Sequence, residues 1–282
     1  MFKKKQQRVC RCSSTQRAPT LNSQISRGTD HTVRLEDVKE GFSLLGNKKQ
    51  FCQAYAHIVQ TPELSPNHSN WCQDMNDPCS TKPVIAMALL HENDINAPKY
   101  VARYTNCADT NHAEDFLLAD KTLEDHLKAV SSPHILTLFL SLQPCHYSSN
   151  ATTQSCTNNL LSWIKNSINL SFTKIELIFS YPYRTHWDVK HFNDQEIKRY
   201  GKAISNAKIG LKILLQSKLI KVRGMQADDW KVLLEYCDKS VQEDWTSVEN
   251  PDATYGKTFK ELRAEMDLFT NKVIDTYRAN SF

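Results

Sequence analysis

Apolar and polar positions alternate along this chain in two rhythms, and the switches between them mark its elements. From about Leu35 to Gln60 the residues Leu44, Leu45, Phe51, Tyr55, Ile58 and Val59 follow helical spacing, with breaks expected near Gly41 or Gly46. Residues 61–82 carry Pro62, Pro66, Pro78, Trp71 and many Asn and Asp, the make-up of a long loop. Two strand-like runs follow at 83–90 and 97–104, joined through 92–96 as an antiparallel hairpin. A helix is predicted over 113–130, with Leu117, Leu118, Leu123 and Leu127 on its apolar side; Ser131-Ser132-Pro133 ends it. The run 134–141 is apolar enough for a strand buried on both faces.

A helix over 157–169, a strand over 174–180 and the aromatic loop Tyr181-Pro182-Tyr183-Arg184-Thr185-His186-Trp187 come next. A helix over about 193–216 then separates that strand from a fifth, 218–225. A helical crossover joins parallel strands, whereas a tight turn would make them antiparallel. Helices over 227–241 and 255–280 complete the reading. The expected fold is α/β: a five-stranded mixed sheet with parallel last strands and six to seven helices on its two faces. Residues 1–30 are polar and basic and read as a disordered tail, leaving 31–282 as one folded domain.

Charge adds a direction to this picture. Residues 1–27 hold seven Lys or Arg and no acid, and 181–223 hold ten against three acids, whereas 224–282 hold seven against twelve. Attraction to a polyanion is therefore expected at the tail and the 181–223 stretch, with plain solubility as the competing reading. The scarcity of glycine (7 residues) and the lack of a phosphate-loop or dinucleotide-binding fingerprint argue against a nucleotide-cradling fold. No apolar run is long enough to span a membrane, and no apolar segment follows the basic N-terminus as a secretory signal would need. The nine cysteines are odd in number and unevenly spread, which fits reduced thiols in a cytoplasmic or nuclear protein.

The chemistry concentrates at His112-Ala113-Glu114 and, thirty residues on, at Pro144-Cys145. A zinc site that activates water keeps three protein ligands and leaves a fourth position open. His112 supplies a nitrogen, while Cys145 and a second cysteine supply thiolates. Glu114 is then placed to move a proton from water to a leaving group. Each motif is expected at the start of a helix, where the terminus would favour the Cys145 thiolate and Pro144 would suit the first turn. Neither half is specific alone; strand–loop–His-Ala-Glu–helix followed by strand–Pro-Cys–helix is specific in combination.

On these residues, and across roughly 41–280, the chain resembles the AID/APOBEC family of zinc-dependent cytidine deaminases, closest to its divergent members. The resemblance runs through the 84–90 strand, Ser141-Leu142-Gln143-Pro144-Cys145, Ile178-Phe179-Ser180 and the helix–strand–helix of 211–237. It implies the cytidine deaminase-like three-layer fold, zinc held by His112 and Cys145, and Glu114 as proton shuttle. Family members place the second thiolate two to four residues after the first, but positions 148 and 149 are serines here. Cys156 is the next cysteine, and Ser148–Gln154 is polar enough to loop out and return it to the metal. The family's tryptophan before Ser-Pro-Cys is replaced by Leu142.

The resemblance also assigns the loop after the fourth strand to substrate reading. Tyr181, Tyr183, Arg184, His186 and Trp187 can stack on bases or meet phosphate, with Tyr181 favoured for the target base. Trp187 alternatively packs in the core. Asn106 matches the family asparagine that contacts the sugar, and Trp71 either forms the opposite wall or anchors its loop. The expected activity is hydrolytic deamination of cytosine to uracil, on single-stranded DNA first and RNA second. A free-nucleotide or tRNA-adenosine deaminase is one alternative; a catalytically silent nucleic-acid-binding module with structural zinc is another.

Overall fold

The computed structural model describes residues 31–47, 51, 55, 84–106, 111–147, 155–167, 171–246 and 259–280. Six strands form one mixed sheet: β1 (Thr32–Arg34), β2 (Ile85–His91), β3 (Tyr100–Thr105), β4 (His134–Leu140), β5 (Thr173–Phe179) and β6 (Lys221–Gly224). Their order is β1-β3-β2-β4-β5-β6. Seven α-helices are described: α1 (Ala113–Leu118), α2 (Lys121–Ala129), α3 (Cys156–Ser167), α4 (Asp194–Gln216), α5 (Ala227–Leu234), α6 (Lys239–Thr246) and α7 (Phe259–Ala279).

The hairpin expected from 83–104 is present, with β2 and β3 antiparallel from Ile85↔Thr105 to Leu90↔Tyr100. β4 pairs antiparallel with β2 and parallel with β5, and β5 pairs parallel with β6. The helical crossover α4 thus gives the parallel final pair that its length required. The sheet has six strands rather than five. The extra strand, β1, lies antiparallel on the outer side of β3, Thr32↔Tyr104 to Arg34↔Ala102. Three residues carry too little alternation to announce a strand.

Both faces of the sheet are covered, which is why all seven residues of β2 are buried. Ala86, Ala88 and Leu90 face one core with Leu136, Leu138, Leu177, Phe179, Leu117, Leu160 and Leu211. Ile85, Met87 and Leu89 face the other, with Leu44, Phe51, Tyr55, Phe139, Ile178, Trp230 and Leu233. Each fully buried Leu, Ile or Phe contributes about 1.5–3 kcal/mol relative to exposure.

Two predicted helices are each divided in two. The helix expected over 113–130 stops at Ala119 and restarts at Lys121, because the buried Asp120 carboxylate accepts from Thr122 N–H (3.0 Å) and Leu123 N–H (3.4 Å). That carboxylate also binds Arg34 Nη2 (2.9 Å), the Tyr104 hydroxyl (2.9 Å) and the Tyr100 hydroxyl. A new N-cap with so many partners outweighs the continuing helical pattern. The helix expected over 227–241 breaks after Leu234, where the chain pairs with residues 45–46: Leu45 N–H donates to Tyr236 O (2.8 Å) and Asp238 N–H to Gly46 O (3.0 Å).

Within 35–60 the described residues form a single 3-10 turn at Leu35–Asp37, then positive φ at Gly41 (85°) and Gly46 (77°). Helical bonds run from Phe51 N–H to Asn47 O and from Tyr55 N–H to Phe51 O. Strand 218–225 is shorter than expected, at 221–224. The basic tail 1–30 and the loop 61–82 lie outside the described residues. No helix among the described residues is long and apolar enough to cross a membrane.

Candidate metal centre

The carboxyl ends of β3, β4 and β5 lie at one end of the sheet, and the chemistry-bearing segments leave from them. In open α/β sheets this end is where ligands bind. His112 precedes α1, its backbone N–H donating to Asp115 Oδ2 (2.7 Å) while Asp115 N–H donates back to His112 O (3.0 Å). That reciprocal cap fixes the residue before the helix. Glu114 follows inside the first turn, on a buried stretch.

Cys145 lies in an irregular segment after β4 and not at a helix start, contrary to the expectation for Pro144-Cys145. The helix begins eleven residues later, at Cys156 itself. Thr157 bonds both residues of the Pro-Cys pair: its N–H donates to Cys145 O (3.0 Å) and its hydroxyl to Pro144 O (3.2 Å). Cys156 is therefore brought back beside Cys145 despite the long separation. His112 Nδ1 stands 3.0 Å from Cys156 Sγ and 3.3 Å from Cys145 Sγ. The three ligand atoms all lie within 4.8 Å of one another, and among the described residues no other His, Cys, Asp or Glu group gathers so.

Protons are held unevenly within this group, with Cys145 favoured as thiolate and the other two holding theirs. Cys145 is brought down to about 4, by the hydrogen bond from Cys156 and by His112, against the opposing effect of burial. Cys156 is held above the usual thiol range by Cys145 and burial, and His112 is pushed up to about 9, chiefly by its bond to Cys145. No helix terminus is needed to explain the Cys145 thiolate.

Glu114 is 5 % exposed, and its Oε2 has no hydrogen-bond partner. Burial, with the Cys145 charge adding, raises its carboxyl to about 7. An unpartnered buried carboxylate oxygen costs about 1–3 kcal/mol or more, so it points to a group that arrives with the ligand. One imidazole and two thiol sulfurs form a nitrogen–sulfur donor set of the kind that suits zinc. The residues fit a metal ion.

The aromatic loop separates into two parts. Tyr181 is buried (4 % exposed), packs against Met266 of α7 and binds His186 Nε2 through its hydroxyl (2.9 Å). It is a support of the loop rather than its exposed face. Tyr183 is half-buried at φ 27°, and its phenol is raised by burial, with Arg184 opposing and the Cys145 thiolate adding. Of the loop's two tyrosines, Tyr183 is the less buried. The Arg184 guanidinium lies over Tyr183 (5.0 Å), Tyr200 (5.4 Å) and Trp187 (5.5 Å). Trp187 is half-buried between His186, Phe192 and Tyr200. Asn106 is occupied structurally: its Oδ1 accepts from Val84 N–H (2.8 Å), closing the start of the hairpin. Trp71 lies outside the described residues.

Several supports carry no motif. Gln143, 2 % exposed, joins three elements: its N–H donates to Tyr181 O (2.9 Å), its Nε2 to Ala207 O of α4 (2.9 Å), and its Oε1 accepts from the Thr185 hydroxyl (2.7 Å). Arg263, wholly buried on α7, donates to Ser180 O (3.0 Å) and Asp267 Oδ1 (3.0 Å) and so fixes the start of the loop. Gly210 lets α4 approach the Cys145 segment, since a Cβ there would lie 2.8 Å from His146 Cβ. Two glycines inside one helix, in a chain with only 7, were the available signal for a close approach along α4. Gln143 and Arg263 gave none. Set beside known proteins, the sequence matches no family model and no curated protein.

Proposed function

We propose that this chain is a zinc-dependent polynucleotide cytidine deaminase, converting cytosine to uracil by hydrolysis on single-stranded DNA, with RNA as the alternative substrate. The observation that carries the reading is the convergence of His112, Cys145 and Cys156 within 4.8 Å, next to a buried Glu114 with an unpartnered carboxylate oxygen. In this reading those three residues hold zinc, which when bound lowers the pKa of water and polarises it toward attack. Glu114 takes the proton released from water and hands it to the departing amine, a task that favours a carboxyl poised near neutrality.

On this reading residues 31–282 form a cytidine deaminase-like three-layer domain, allied to the AID/APOBEC enzymes and working in the cytoplasm or nucleus. The parallel β5–β6 pair and the helices on both sheet faces support it. A polymeric substrate is favoured over a free nucleoside by the aromatic loop and by the ten basic residues of 181–223. Tyr183 and Arg184 are the loop residues best placed to meet a base and its phosphate.

The test is zinc content together with uracil-excision assays on cytosine-containing single-stranded DNA and RNA. One zinc per chain, activity on the DNA strand, and loss of activity with zinc retained in Glu114→Ala are expected. Zinc without deamination of either polymer would leave a nucleic-acid-binding module and overturn the enzyme.

A further inference from the structure

Ten residues separate the two cysteines of the metal group, and a loop of that length does not by itself fix where its far end lies. We propose that His146 and Ser155 form a clasp that sets the position of Cys156, which makes both of them positioning residues for the third metal ligand. The inference rests on the metal reading above.

The clasp is a hydrogen bond between His146 Nδ1 and Ser155 Oγ (2.9 Å), and both residues are buried. His146 is the neighbour of Cys145, and Ser155 is the neighbour of Cys156, so one bond spans from the first ligand to the second. The Ser155 oxygen also accepts from Asn158 N–H (3.1 Å) at the start of α3. A hydroxyl has one proton to give. Its oxygen carries two lone pairs, so it can accept from Asn158 N–H and still bond His146 Nδ1, the direction of that second bond following the His146 tautomer. The same hydroxyl therefore caps the helix that opens with Cys156 and moors that helix to the residue after Cys145.

Both ends of the clasp are backed. On the His146 side, Gly210 of α4 leaves no room for displacement, a Cβ there meeting His146 Cβ at 2.8 Å and Thr157 Oγ1 at 3.2 Å. Asn206 Nδ2, one turn earlier on α4, donates to Tyr147 O (3.0 Å), where the backbone turns through φ 52°. On the Ser155 side, Thr157 binds Cys145 O and Pro144 O. All of these ties end on residues that flank the stretch 148–154. On this proposal they suffice to bring the two sulfurs together whatever the length of that stretch.

Cobalt(II) reports this directly, because each thiolate ligand adds to the sulfur-to-cobalt charge-transfer absorption. The full chain is loaded with cobalt, and Cys156→Ala serves as the single-thiolate reference. Ser155→Ala and His146→Phe should lower the charge-transfer intensity toward that reference and weaken zinc binding by about 10–100-fold. Ser155→Thr and His146→Asn, which keep a hydroxyl and an acceptor, should restore both. Inserting four Gly or Ser residues between Asn150 and Ala151 should leave spectrum and affinity unchanged, and this arm does not depend on whether the clasp variants fold. A two-thiolate spectrum with unaltered zinc affinity in Ser155→Ala, or a disturbed spectrum in the insertion variant, overturns the clasp alone. No charge-transfer band in the unaltered chain overturns the metal reading and the clasp together.

Discussion

His112 Nδ1 lies 3.0 Å from Cys156 Sγ across forty-four positions of sequence, closer than it lies to the sulfur of Cys145. The cysteine that departs from short motif spacing is thus in direct contact with the histidine. Replacing Cys156 with alanine should sharply reduce the zinc that survives dialysis against a chelator, as should Cys145→Ala. Cys237→Ala, on the opposite side of the sheet, should not. Zinc retention by Cys156→Ala equal to that of the unaltered protein would remove the third ligand.

Tyr183 and Tyr181 should separate in their effects. Tyr183 senses the Cys145 thiolate and lies under Arg184, whereas Tyr181 is buried against Met266. Base stacking on an aromatic contributes about 1–3 kcal/mol, so Tyr183→Ala should weaken single-stranded DNA binding by that amount. Tyr181→Phe keeps the buried ring and removes the hydroxyl that binds His186, which should cost about 0.5–1.5 kcal/mol of stability with DNA affinity unchanged. Fluorescence anisotropy and chemical denaturation of the two variants decide it; equal losses of affinity would refute the assignment.

The two glycines of α4 make an internal control. At Gly201 an added Cβ meets only Ile197 Cγ2 at 3.7 Å, an ordinary contact. Gly201→Ala should therefore stabilise the protein by about 0.5–1 kcal/mol through helix propensity. At Gly210 the same change meets His146 Cβ at 2.8 Å. Overpacking of about 1–3 kcal/mol should outweigh that gain, leaving Gly210→Ala less stable than the unaltered chain and weaker in zinc binding. Paired thermal melts with zinc titrations test both positions.

How much of this was readable in advance depended on whether a residue acts through its own chemistry or through its neighbours. His112, Glu114 and Cys145 announce themselves because metal binding and proton transfer restrict residue type and spacing. Cys156 followed once positions 148 and 149 proved to be serines. The strands of the central sheet were readable from their apolar runs. Asp120 ends one helix and starts another through partners on β1 and β3, and no local pattern encodes distant partners. The same holds for the break after Leu234, where residues 45–46 supply the competing bonds. Tyr181 and Tyr183 are identical in type, two positions apart, and only packing against α7 tells the buried support from the half-buried ring.

A pH effect on stability follows from His91. Its ring is buried at the end of β2, with Nε2 bonded to Thr137 Oγ1 (3.0 Å) and Glu176, Asp94 and His134 as its charged surroundings. Burial holds its pKa below the ordinary 6.5, with the Glu92 backbone and the Glu176 and Asp94 carboxylates opposing and His134 adding. The unfolded chain thus takes up a proton that the folded chain resists. The stabilising contribution is complete above 6.5 and is lost as pH falls toward the lower folded value. Thermal melts between pH 7.5 and 5 should show stability falling, and His91→Gln should make the slope shallower by no more than about 1.4 kcal/mol per pH unit. An unchanged slope would mean that another group controls the acid limb.

The three residues of β1 set a limit on how far the chain can be trimmed. Arg34 supplies the only cation on Asp120 among the described residues, and β1 covers the outer edge of β3. A truncation starting at residue 35 would leave a buried carboxylate without its cation at the joint between α1 and α2. It would also uncover a strand edge able to recruit another chain. A trimmed protein for expression or crystallisation therefore needs to begin before His31, and a shorter one should be both less stable and more prone to self-association.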